Sequence, residues 1–168
     1  PQEKTFNKQF SWSLSLAGAD GDDAVVYDIE PSIANVVKNP NASSGKYTPS
    51  SITFYGYSET GNEARAAYSG RWLIAITTNG SSWTQVYPTA QSTQTNETSH
   101  SYSFSDNTDI KAVKAYLFAA GTNIPIPSSG IAPTTNALDM QSVPVVVGGT
   151  NGINGTSPIQ AMLSKEDL

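Results

Sequence analysis

The chain has 168 residues, only 14% of them charged, with a formal net charge of -5 and no cysteine. The nine Lys and Arg are scattered from Lys4 to Lys165 without a basic run, which excludes nucleic acid as a partner, because phosphate binding needs clustered cations. The absence of cysteine excludes a disulfide framework, a thiolate metal site and a Cys nucleophile, and no apolar run reaches the ~20 residues of a membrane-spanning helix, so no membrane insertion is expected.

In chain order, residues 1–23 read as an N-terminal arm. Phe10-Ser11-Trp12-Ser13-Leu14-Ser15-Leu16 alternates with strand period and runs into Gly18-Ala19-Asp20-Gly21-Asp22-Asp23. The chain opens at Pro1 without a Met or a signal-peptide pattern, which reads as a trimmed or excised product. Residues 24–147 read as the main domain, and residues 148–168 as a Gly-rich, collagen-like stub with a short helical tail. Where charge is missing, Ser, Thr, Asn and Gly replace it, a composition that suits strand surfaces and loops better than helix faces.

The main domain divides into short strands. The first covers 24–30, with a continuation after Pro31 over 33–38. A polar loop, Asn39-Pro40-Asn41-Ala42-Ser43-Ser44-Gly45, precedes a strand at 51–58 with Ile52, Phe54 and Gly56 on one face and Thr53, Tyr55 and Tyr57 on the other. After the loop 59–69, the strand 71–78 sets Trp72, Ile74 and Ile76 on one side. Asn79-Gly80 is a strong short hairpin signal, since both residues tolerate positive φ, and it leads into a strand at 83–87. The loop 88–99 follows, then a strand in which His100, Tyr102 and Phe104 alternate with serines. A strand at 110–119 places Val113, Ala115 and Leu117 together, and the last strand is 141–147.

Short alternating strands with turn residues between them are the pattern of an all-β fold: an immunoglobulin-like or fibronectin-like β-sandwich of about seven strands, with a jelly roll as the other arrangement. Trp72, Ile74, Ile76, Val113 and Leu117 are the expected core. The Trp72 strand resembles the central strand of the immunoglobulin fold, where a buried Trp fills the space between the sheets.

Glycines recur every third residue at Gly149, Gly152 and Gly155, and Gly18 and Gly21 open two triplets at the other end. Collagen needs Gly at every third position, because only hydrogen fits at the axis of three packed chains. Two readings stand: flexible Gly/Asn turns, or the ends of collagen-like repeats. Ser157-Pro158 then provides a helix cap and first turn, with Ile159, Met162 and Leu163 on one face. That segment either packs against copies of itself or is a tail.

Gly18-Ala19-Asp20-Gly21-Asp22-Asp23-Ala24-Val25-Val26-Tyr27, Tyr47-Thr48-Pro49-Ser50-Ser51-Ile52-Thr53, Ala67-Tyr68-Ser69-Gly70-Arg71 and Val143-Pro144-Val145-Val146-Val147, followed by Gly-x-x triplets, resemble one family. It consists of β-sandwich modules, often interleaved with collagen-like repeats, in tail, baseplate and fibre proteins of bacteriophages and prophages of gut bacteria. The resemblance covers about residues 18–156. It implies a structural virion component, often a homotrimer among other virion proteins, that spaces or displays receptor-binding parts. It transfers no catalytic residues. The Gly-x-x runs here are shorter than that pattern.

The residues themselves offer little chemistry. His100, the single histidine, sits in an alternating strand without the nucleophile or orienting partner a general base needs, and reads as a satisfied strand residue. Asp20, Asp22 and Asp23, with Asp28 and Glu30 behind them, lack the distal Glu of a calcium loop and read as a solvated linker. Asp106, Asn107 and Asp109 read as an Asx turn before Ile110. Gly148-Gly149-Thr150-Asn151-Gly152 lacks the Lys of a phosphate loop. No metal and no cofactor are expected, and no carboxylate pair suggests a glycosidase.

The aromatic residues are the remaining candidates. Sugar-binding surfaces use exposed rings as platforms, and Trp83, Tyr87, Tyr55 and Tyr57 are the candidates for one that contacts host cell-surface polysaccharide. Tyr47 and Tyr68 fall in loops. The loops 88–99 and 121–138 offer further recognition surface. Two functions follow: a non-enzymatic fibre module of a virion, or a carbohydrate-binding module or adhesin domain of a bacterial cell surface.

Overall fold

The computed structural model describes residues 24–61 and 63–148. The arm 10–16, the acidic run 20–23, the Gly-x-x triplets and the helical signal after Ser157 lie outside the described residues. Within them the chain forms ten strands and a single 3-10 turn at Gln91–Thr93. They are β1 (Val25–Pro31), β2 (Val36–Lys38), β3 (Tyr47–Thr48), β4 (Ser51–Thr60), β5 (Ala66–Ala67), β6 (Arg71–Thr77), β7 (Thr84–Tyr87), β8 (Ser99–Ser103), β9 (Ala112–Phe118) and β10 (Asp139–Val147).

The strands make two sheets. In the first, β4 pairs with β1 along one edge, from Val25↔Thr60 to Pro31↔Phe54, and with β8 and β5 along the other. The second has the order β3-β2-β10-β9-β6-β7 and is antiparallel except for the β2–β10 pair. Pro144 stands where β10 changes partner. Its pairing with β9 ends there, and the parallel pairing of Val145–Val147 with Val36–Lys38 begins. A proline fits such a junction because it donates no ladder bond.

This all-β sandwich has the strand order of the immunoglobulin type: β1, β4 and β8 in places A, B and E, and β6, β9 and β10 in places C, F and G, with β7 beside β6 as C′. No strand takes place D among the described residues, and the chain runs from β7 to β8 through the loop 88–98. The count of ten exceeds the expected seven because β3 and β5 are additional two-residue strands and the continuation at 33–38 forms a separate short strand, β2.

The core between the sheets follows the strand period. Ile52, Phe54 and Gly56 point inward from β4, and Trp72 and Ile74 from β6, against Val113, Ala115 and Leu117 of β9. Ile76, expected at the centre, is only partly buried and packs at the margin. Tyr47 lies in a strand rather than a loop: it is buried, and its hydroxyl both donates to the Thr108 carbonyl and accepts the Ile110 amide at 3.0 Å. Asp106 makes no Asx turn of its own. Its carboxylate accepts the amides of Gly45 and Lys46, at 2.7 and 2.8 Å, and so ties two loops together.

β6 is buried on both faces. Leu73 and Ala75 point away from the main core and join Tyr116, Phe118, Ile124 and Ala132 in a second cluster. The segment 119–138 closes that cluster, held by the Gln94 side chain, which donates to the Ile124 carbonyl at 2.7 Å and accepts its amide at 2.8 Å. The loops 88–99 and 121–138, expected as recognition surface, thus also help to cover the sheet.

The run of the chain fixes the poles of the sandwich. The Asp139 carboxylate accepts the Ile29 amide at 2.7 Å, so β10 begins beside β1 and then runs alongside β2 in the same direction. The described chain therefore enters at Val25, at one pole, and leaves through Gly148 at the other, about 40 Å away at ~3.3 Å per strand residue.

Candidate functional site

The outer face of the four-stranded sheet gathers the polar and aromatic groups most suited to a ligand. Because side chains alternate along a strand, β4 turns Thr53, Tyr55 and Tyr57 to this face while Ile52, Phe54 and Gly56 fill the core. The register sets Asp28 opposite Tyr57, and Glu30 and Ser99 opposite Tyr55. Tyr55 is 41% exposed. Thr53 and Ser101 share a hydrogen bond of 2.7 Å.

Arg65 organises one end of the face. Its guanidinium lies 3.7 Å from the Tyr57 ring centroid, donates to Glu30 at 2.8 Å and pairs with Asp28. Those carboxylates hold the guanidinium over the ring, so Tyr57 is covered on that side while Tyr55 stays open. Next to them lies an open groove of about 490 Å³, lined by residues that include Tyr27, Tyr57, Arg65, Asp139 and Met140. Burial pushes the Asp139 carboxyl above the ordinary aspartate range, and the nearby Asp28 charge adds to this; amide hydrogen bonds from Met140 and Ile29 oppose it.

The four candidate platform residues separate. Tyr55 and Tyr57 are neighbours on one face, as the strand period requires. Tyr87 closes β7 in the other sheet and Trp83 immediately precedes that strand; both are half-buried. The Trp83 ring packs beside the second cluster under Lys114, whose ammonium lies 4.1 Å from the ring centroid. Burial lowers the Lys114 pKa. Tyr87 packs on the main core and stacks on His100 with centroids 3.8 Å apart; its hydroxyl donates to the Thr93 carbonyl at 2.8 Å. Both rings are therefore structural. A register shift in the β6–β7 pairing between Ile74 and Ala75 turns Tyr87 to the main core while Trp83 stays on the outer side with the second cluster, which is why a plain sequence period misplaces Tyr87.

His100 has an anchoring geometry. Its Nδ1 lies 2.9 Å from Glu97, whose other carboxylate oxygen accepts from Thr95 at 2.6 Å and whose main-chain carbonyl accepts the Trp72 indole N–H at 2.9 Å. Burial raises the Glu97 pKa, but the hydrogen bonds from Thr95 and His100 and the imidazole's charge outweigh it, and the carboxyl ends below its ordinary range. No serine hydroxyl bonds to His100 among the described residues. Also among them, no group of three or more His, Asp or Glu is placed to hold a metal ion, and every buried side-chain polar atom has a partner. Asp28 and Glu30, read as part of an acidic linker, spend their charge on Arg65.

The face presents an open tyrosine ring beside fixed carboxylates and hydroxyls. The sequence singles out Tyr55 and Tyr57 but not Arg65, because a cation 35 residues from Glu30 carries no local signal. No family model, curated protein or solved structure matches this chain.

Proposed function

We propose that this chain is a non-enzymatic structural module of an extracellular fibre, of the kind found in bacteriophage tails, baseplates or head fibres. It spaces and displays receptor-binding parts, works as a homotrimer among other virion proteins, and belongs to the particle rather than to the cell interior. The observation that supports this reading is the course of the chain, which enters the sandwich at one pole and leaves at the other. Modules strung this way extend a fibre by their full length instead of folding it back.

The test is small-angle scattering on two copies fused head to tail. The expected result is a maximum dimension longer than that of a single copy by about 40 Å, the length of one sandwich at ~3.3 Å per strand residue. A compact particle with no such increment overturns the spacer reading.

The open ring of Tyr55 favours a second role on the same scaffold, contact with host-surface polysaccharide, which is also the role of a carbohydrate-binding or adhesin domain. Aromatic faces stack on the apolar faces of sugar rings while neighbouring carboxylates and hydroxyls accept and donate to their hydroxyls. Tyr55→Ala is expected to abolish binding on a glycan array and to leave the thermal midpoint within a few degrees, as for a surface substitution of about 0.5 kcal/mol. Equal glycan signals from both proteins would remove Tyr55 from the reading.

A further inference from the structure

Resting on the polysaccharide reading above, we infer that the groove beside Arg65 is a subsite for the ammonium group of an amino sugar. Its volume is about 490 Å³, within the roughly 300–1,000 Å³ of small-molecule sites. It lies between the free edge of β1 and the start of β10, and its walls include Val26, Tyr27, Tyr57 and Met140, with the carboxylates of Glu59 and Asp139. Tyr57 stands two residues along β4 from the open Tyr55 ring, ~7 Å at ~3.4 Å per strand residue. An oligosaccharide stacked on Tyr55 therefore reaches the groove with its next units.

Charge selects the ligand. Arg65 is shared between Asp28 and Glu30, one cation for two carboxylates. Glu59 and Asp139 pair with no cation among the described residues. Asp139 is held in place, because it accepts the Ile29 amide at 2.7 Å. Burial first, and the Asp28 charge after it, keep this carboxyl above the ordinary aspartate range, so a cation in the groove supplies the opposite charge that Asp139 lacks. Among the described residues no three acidic or imidazole groups stand close enough to hold a metal ion. The cation that fits is organic: tyrosine rings attract an ammonium, and carboxylates accept its N–H groups in charge-assisted hydrogen bonds. A uronic or sialic acid would set its own carboxylate against Asp28, Glu59 and Asp139. N-acetylation of the amino sugar removes the charge that the groove answers.

The test is isothermal titration calorimetry on the full chain with a β-1,4-linked glucosamine tetramer and its fully N-acetylated form. The free-amine tetramer is expected to bind about tenfold more tightly, the contribution of one charge-assisted hydrogen bond. Asp139→Asn keeps an oxygen for the Ile29 amide and is expected to lose most of that preference with an unchanged far-ultraviolet circular dichroism spectrum. Glu59→Gln is expected to lower it as well, and Tyr55→Ala to weaken both tetramers alike. Equal affinity for the two tetramers, or a preference that survives in folded Asp139→Asn, overturns this inference; weaker binding by Tyr55→Ala in that case leaves the polysaccharide reading standing. No binding of either tetramer overturns it too, and a glycan array silent throughout removes the polysaccharide reading as well. Should Asp139→Asn fail to fold, Glu59→Gln decides.

Discussion

Trp72→Ala is expected to be the most damaging single truncation in the sandwich. The indole is 1% exposed and stands between the sheets. Truncating a buried Trp to Ala costs about 3–5 kcal/mol, from lost transfer energy and the cavity left behind. The substitution also removes the 2.9 Å bond from the indole N–H to the part-buried Glu97 carbonyl, which keeps the Gly70 amide at 3.2 Å, so this loss adds about 1 kcal/mol at most. Domains of this size hold only about 5–15 kcal/mol in total. Urea titration followed by far-ultraviolet circular dichroism is expected to show a midpoint close to zero denaturant. Trp72→Phe keeps most of the volume and is expected to fold with a clearly higher midpoint. A midpoint for the alanine variant within about 1 kcal/mol of wild type, near the average for any point mutation, would mean that the indole does not hold the sheets together.

Gly70→Ala is the second. Gly70 exchanges main-chain hydrogen bonds with Glu97, at 3.2 and 2.8 Å. A Cβ there would lie 2.5 Å from the Phe118 carbonyl oxygen, 2.8 Å from Leu117 and 2.9 Å from Tyr68. The Phe118 oxygen belongs to the strand paired with β6, so it yields only if the Arg71↔Phe118 register moves. Overpacking of this kind costs about 3 kcal/mol, the upper end of the usual range. Gly130→Ala provides the comparison. Gly130 has φ +75° with nothing within 4 Å of an added Cβ, so only the left-handed backbone resists, at about 1–2 kcal/mol. The expected order of urea midpoints is wild type, Gly130→Ala, then Gly70→Ala. An alanine at position 70 tolerated as well as one at 130 would show that the β6–β9 register adjusts freely.

Alternation made much of this sandwich readable. The interior row Ile52, Phe54 and Gly56, the pair Trp72 and Ile74, and the row Val113, Ala115 and Leu117 all follow from a period of two. The second cluster does not follow from it. Trp72-Leu73-Ile74-Ala75 is an unbroken apolar run, the mark of a strand covered on both faces, yet what covers it is an irregular segment rich in Pro and Gly whose packing has no sequence period. β3 and β5 are too short to carry a pattern. At the candidate site, Tyr55 and Tyr57 were legible because they alternate with core residues on a long strand. Tyr87 was not, because β7 has four residues and an irregular register with its neighbour, and Trp83 precedes that strand among groups whose packing has no sequence period. Arg65 joins the face through partners far away in the chain.

The opposite poles of entry and exit also decide how the module meets tension. A pull between Val25 and Gly148 runs along β10 and the β1–β2 line rather than across them. It loads the Val36–Lys38 and Val145–Val147 pairing in shear, so the bonds of that patch bear the force together instead of peeling open one after another. The patch sits where the chain leaves the sandwich, and it therefore acts as a latch against extension of the polypeptide.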